Sequence, residues 1–138
     1  MMSKESQKRL TLSDIVAKKQ AREKEANKTQ ELHIGSYDMD ILVKKLDDEL
    51  FSHLNEKYKD DDIGLINRII YECVVDPKLK EEKTQEMLGI KCDPSKIVDE
   101  TVKAIFPSMS ERGGIATEII NFSDLTKGSV SVVNHVKN

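Results

Sequence analysis

The stretch DDIGLINRIIYECVVDP, residues 61–77, decides how this chain is read. Ile63, Ile66, Ile69, Ile70, Cys73 and Val74 recur at three- and four-residue steps, which places them on one face of an α-helix. Asp61 or Asp62 stands just ahead of them, where a carboxylate accepts orphan backbone N–H groups and meets the positive end of the helix dipole. Asp76 precedes Pro77, and a residue before proline is pushed out of the α region, so the helix is expected to end near Val75.

Downstream, a short polar helix is expected over roughly Lys80–Leu88, with Gly89 as its left-handed cap. Asp93-Pro94 reads as an N-cap followed by proline at the first helical position. Ile97, Val98, Thr101, Val102 and Ile105 give this next helix a buried face, and Pro107 ends it. The two long helices, the one ending near Val75 and the one opened by Asp93-Pro94, are expected to pack together and form most of the core. Ser108 to Gly114 reads as a loop, with Gly113-Gly114 permitting a sharp reversal. Ile115, Ala116, Ile119, Ile120 and Phe122 then mark a last short helix. The tail holds Val130, Val132, Val133 and Val136 and reads as an edge strand or, in preference, a weakly ordered end.

Upstream, Asp47 or Asp48 caps a helix whose stripe is Leu50, Phe51, Leu54 and Tyr58. Ahead of it the apolar period changes to two. Leu32 and Ile34 flank His33, then Gly35-Ser36-Tyr37-Asp38 intervenes, then Met39, Ile41 and Val43 share a face. This is the pattern of a β-hairpin with a four-residue turn, and an isolated hairpin must lie on a larger body to be stable. Residues 1–12 are expected to be disordered. Thr11 or Ser13 caps a helix starting near Asp14, whose only apolar patch is Leu12, Ile15 and Val16. From Lys18 to Asn27 only Ala21 and Ala26 are apolar among the segment's polar residues, so this arm is either a solvated, frayed helix or one that orders on a partner.

The whole therefore reads as a mainly α protein: a charged, partly helical arm over residues 1–30, a helical domain over 31–125 with a hairpin at 31–45, and a flexible tail over 126–138. The length suits one domain with a modest core. With three Tyr, three Phe and no Trp, that core must be built from Ile, Leu and Val. The net charge of −3 conceals an asymmetry, because residues 1–30 carry a net +4 and the remainder a net −7. A basic arm on an acidic body can touch nucleic acid or an acidic partner, but the arm holds no aromatic residue on which bases would stack.

Catalytic and metal-binding patterns are absent from the sequence. Asp60-Asp61-Asp62 lacks the spread ligands and closing glutamate of a calcium loop, and capping and solvation account for it. His33, His53 and His135 stand at no zinc spacing from each other or from Cys73 and Cys92. Neither cysteine has a nucleophile signature or C-x-x-C spacing, no G-x-S-x-G elbow occurs, and Gly113-Gly114 lacks the Lys-Ser or Lys-Thr of a P-loop. No enzyme activity, cofactor or metal is expected. Two unpatterned cysteines and no apolar leader or long apolar run suit a reduced, cytosolic protein without a membrane segment.

The order of the pieces resembles the XkdN-like phage tail assembly chaperones. The matching stretches are Leu10-Thr-Leu-Ser-Asp-Ile15, the charged helix to Lys28-Thr29, Val43-Lys-Lys-Leu46, and Cys73-Val-Val-Asp-Pro-Lys-Leu79. They continue with Met87-Leu-Gly-Ile-Lys91, Asp93-Pro-Ser-Lys-Ile-Val-Asp99, Ile105-Phe-Pro107 and Gly114-Ile-Ala-Thr-Glu-Ile-Ile120. The segment Ser108–Gly114 departs from the Pro-Gly-Glu-like turn frequent in that family, and the valine-rich tail has no counterpart in it.

The resemblance implies a protein of the bacterial cytoplasm that binds the tape measure protein and keeps it soluble while tail tube protein polymerises around it, with tail tube protein as a second candidate partner. It implies absence from the mature virion. The expected partner contacts are Leu12, Ile15 and Val16 on the arm and Ile119, Phe122 and Leu125 near the C-terminus. The competing readings are a small nucleic-acid-binding regulator using the basic arm and a structural tail or connector subunit.

Overall fold

The structure, a computed structural model, describes residues 9–125. The expectations for residues 1–8 and for the valine-rich tail lie outside the described residues. The chain is mainly α, with six α-helices and a small antiparallel sheet among the described residues.

Helix α1 spans Leu12–Ala26 and is opened by Thr11. The backbone N–H of Asp14 donates to Thr11 Oγ1 at 3.2 Å, and the Thr11 N–H donates to Asp14 Oδ2 at 3.1 Å. This reciprocal capping box satisfies two orphan donors, and its hydrogen bonds from Thr11 hold the Asp14 carboxyl below its ordinary pKa. The helix runs unbroken through the polar segment after Lys18, yet none of its residues is buried.

Strands β1 (Thr29–Ile34) and β2 (Met39–Lys44) form the expected hairpin, in a register pairing Thr29 with Lys44 and Ile34 with Met39. Asp38, in the turn, takes the left-handed conformation with φ 53°. Leu32, Ile34, Ile41 and Val43 face the core. Met39 pairs with the buried Ile34 but is itself 69% exposed.

Helix α2 (Asp48–Lys57) is capped by Asp47 and buries Leu54, with Leu50, Phe51 and Tyr58 packed at the core's edge. Helix α3 (Asp62–Cys73) is the centre of the molecule, packing on both later long helices. Asp61 caps it, accepting from the Gly64 N–H at 2.9 Å. Two sequence expectations are corrected here. Ile63 is exposed, since the first turn presents Gly64 rather than Ile63 to Tyr58. Val74 does not extend the helix but starts a third strand, β3 (Val74–Asp76), pairing antiparallel with β2. Two β-branched valines ahead of a proline favour this extended exit.

Past Pro77, Leu79 is fully buried, and Glu72 takes Lys80 at 2.6 Å and Arg68 at 2.8 Å. Helix α4 (Glu82–Met87) follows, with Gly89 at φ 73° beyond it. Pro94–Lys96 form a 3-10 turn that leads into α5 (Ile97–Ile105). Thr101, Val102 and Ile105 are buried there, and the Asn67 amide donates to Asp99 at 2.9 Å to join α3 and α5.

The largest correction concerns the end of the chain. Ser108 to Gly114 is not a loop. Ser108 caps a continuous helix α6 (Met109–Ser123) that carries Gly113 and Gly114 within it. Ser108 Oγ accepts the Glu111 N–H, and this cap sets the start, six residues before the first apolar position used to place it. The core is consequently α3 against both α5 and α6, closed on one side by the sheet, rather than mostly two helices.

Candidate functional site

The expected contact residues fall into two separate places. Leu12, Ile15 and Val16 form a small apolar patch on the first turns of α1, and all three are exposed, Leu12 at 76%. The other end of α1 meets the body. Glu25 accepts from Lys45 at 2.9 Å, and the same carboxylate group pairs with Lys28 at 3.0 Å. Lys45 and Lys28 hold the Glu25 carboxyl below its ordinary pKa. Lys45 Nζ also stands 5.3 Å from the Phe122 ring centroid, a cation–π contact.

Phe122 and Leu125 are half-buried and flank this junction, and Leu125 lines a cleft of about 440 Å³ with Arg22, Glu25 and Lys45. Ile119 is a correction. It is fully buried in the core and offers no surface to a partner. It lies a turn before Phe122 on the face of α6 that meets α3, and helical spacing alone does not separate the core face of a terminal helix from an outer one. About 15 Å of helix separates Ile15 from Glu25, so the arm patch and the Phe122–Leu125 site are two stations along α1 rather than one surface.

A third apolar surface escapes the sequence. The turn end of the hairpin, Pro77 after β3 and the ends of α4 and α5 border a groove of about 330 Å³. Ile34, Ile41, Pro77, Leu88, Ile105 and Phe106 line it, with Met39 and Tyr37 at its rim. Tyr37 is held there by a hydrogen bond from its hydroxyl to the Ile105 carbonyl and by edge-on packing on Phe106. Asp40 and Thr84 are its polar lining. Tyr37 in a turn and Leu88 before a glycine carry ordinary loop signals, so only the approach of the hairpin to α5 makes them one site.

The chemistry these surfaces offer is burial of apolar side chains. Among the described residues no group of three His, Cys, Asp or Glu stands together as a metal-binding cluster. Cys73 is buried, and burial pushes its thiol up to about 12, whereas Cys92 is exposed. His33 sits on the outer face of the hairpin between Asp40 at 2.8 Å and Asp38 at 3.2 Å. Among the described residues no helix is long and apolar enough to cross a membrane. Comparison with models of known families, with curated proteins and with solved structures finds no match.

Proposed function

We propose that this protein is an assembly chaperone of tailed phages that captures the long, helical tape measure protein and keeps it soluble until tail tube subunits close around it. The observation that carries this reading is α1, a well-capped fifteen-residue helix that buries none of its own residues and displays Leu12, Ile15 and Val16. A lone helix of this length is marginal in water, and an exposed i, i+3, i+4 apolar patch is the form in which one helix docks on another. The ordered set of motifs described above supplies the identity of the partner. Phe122 and Leu125, at the foot of α1, extend the contact. The protein acts by binding rather than catalysis, in the host cytoplasm, and leaves before the virion is complete.

Co-expression with the tape measure protein of the same gene cluster tests this, scored by solubility and co-purification. The partner is expected to stay soluble only with this protein, and Leu12→Ser/Ile15→Ser/Val16→Ser is expected to abolish that while the melting temperature holds. Unchanged partner solubility with and without this protein sinks the proposal. Retained binding by the triple variant removes α1 as the contact. A salt-sensitive complex with DNA or RNA in place of the protein complex would favour the regulatory reading, and recovery of this chain in purified particles would favour a structural subunit.

A further inference from the structure

Helix α1 joins the body through very little chain. It ends at Ala26, β1 starts at Thr29, and only Asn27 and Lys28 lie between them. The N–H groups of these two residues donate back into the last turn, to the Lys24 carbonyl at 3.3 Å and the Glu25 carbonyl at 3.2 Å. None of the fifteen residues of α1 is buried. A helix in a folded protein is normally held by packing its apolar face, so α1 must take its direction by other means. Fifteen helical residues make a rod about 22 Å long, and a rotation of about 30° at the link carries its tip about 12 Å. Whatever restrains the link decides where Leu12, Ile15 and Val16 are presented.

Lys45, the residue after β2, is placed to supply that restraint. Its side chain is only 15% exposed, and an ammonium drawn so far out of water needs negative charge or π density close by. Two elements provide it. Glu25 of α1 offers Oε2 at 2.9 Å, and the ring centroid of Phe122 in α6 lies 5.3 Å from the amine. One side chain thus ties α1 to α6 and to the segment between β2 and α2. The backbone beside it is fixed in turn, because Leu46 is buried and its N–H donates to Ser123 Oγ at 2.7 Å. Such an anchored cation differs from a solvated surface lysine, whose ion pairs impose little order.

Lys28 provides the contrast. It pairs with the other oxygen of Glu25, Oε1, at 3.0 Å, from an exposed side chain. That pair lies within the arm and its link, so it cannot fix one against the body.

We infer that α1 is a hinged arm pivoting at Asn27 and Lys28, and that Lys45 is the positioning residue that holds it in one direction by clasping Glu25. Latched in this way, the arm keeps its apolar patch at a set distance from Phe122 and Leu125. A partner helix then meets two stations already in place, and the cost of ordering the arm on binding falls. That use rests on the capture role proposed above. The latch does not, since it acts within the free protein.

Paired spin labels on the free, full chain test it, attached through Ala17→Cys, exposed on α1, and Thr117→Cys, exposed on α6, in a Cys92→Ser background. Buried Cys73 stays unlabelled. One narrow distance distribution is expected with Lys45 and Glu25 present. Lys45→Met and Glu25→Gln are each expected to widen it at least twofold, with helix content by circular dichroism unchanged. Lys45→Arg is expected to keep it narrow, and so is Lys28→Met. Equal widths with and without Glu25→Gln overturn the inference, whatever becomes of the Lys45 variants. A wide distribution before either substitution overturns it as well. So does a Lys28→Met variant as wide as Glu25→Gln, since the pair within the link would then be the restraint. A failed co-expression experiment beside a narrow distribution that depends on Lys45 upholds the latch and rejects only the capture role.

Discussion

Arg112 Nη1 donates to the Phe106 carbonyl at 2.8 Å and to the Pro107 carbonyl at 3.1 Å, from a side chain that is 5% exposed. Nη2 lies 3.2 Å from Met109 Sδ. A buried guanidinium usually meets a carboxylate. Here it meets the carbonyl end of α5, where the helix dipole favours a cation and the last carbonyls lack intrahelical donors. The same contact fixes the corner between α5 and α6, and so the position of Phe106 under the apolar groove.

Arg112→Met is accordingly expected to destabilise the protein by roughly 2–4 kcal/mol, since it strands two carbonyls without donors. Equilibrium urea unfolding measures this. A loss under about 0.5 kcal/mol would mean that water replaces the guanidinium and that the corner does not depend on it.

Two helical glycines are expected to respond in opposite directions to alanine. At Gly113 an added Cβ meets nothing within 4 Å, so Gly113→Ala is expected to gain about 1 kcal/mol from helix propensity alone. At Gly64 the same atom would collide with the Asp61 carboxylate and stand 2.8 Å from Tyr58 Cδ1. Gly64→Ala is expected to lose about 1–3 kcal/mol, as the cap and the α2–α3 corner give way. Thermal melts of the two variants should move apart, and a stabilised Gly64→Ala would show that the corner relaxes freely.

Acid should weaken the link between α3 and the segment after Pro77. Burial raises the Glu72 carboxyl, but Lys80 and Arg68 outweigh it and hold the group below its ordinary value of 4.5. The unfolded chain therefore takes up this proton at higher pH than the folded one, so the stabilisation is complete above 4.5 and is lost as pH falls through the folded value. Glu72→Gln is expected to be less stable than the unsubstituted protein at neutral pH, with the difference shrinking below pH 4.5. Urea titrations across that range check it, and a difference independent of pH would assign the effect to packing.

The two cysteines should report folding. Cys92 is exposed and should react with a thiol reagent within the mixing time, whereas Cys73 is buried with its thiol pushed up to about 12. One equivalent is expected to react fast, and the second only at the rate of unfolding. Two fast equivalents would show that α3 opens locally without global unfolding.

Local chemistry in the sequence determined the class of the protein, most of its helix starts and the hairpin. Thr11, Asp47 and Asp61 cap the helices they precede, and the switch from a period of two to a period near four marks the passage from ribbon to helices. Each of these signals acts within a few residues, so each is legible without knowing what lies opposite. Tertiary structure decided the remainder. Val74 could continue a helix or join a sheet, and the presence of Val43 at pairing distance chose the sheet. Gly113-Gly114 could reverse the chain or sit in a helix, and the anchoring of Glu111 on Ser36 and Arg112 on the Phe106 carbonyl holds the helix through them. Ile119 and Phe122 share one sequence pattern, yet only the packing of α6 on α3 buries the first and leaves the second at the surface. The apolar groove is of the same kind, because burial is a property of what several distant segments leave uncovered, and no window of sequence contains it.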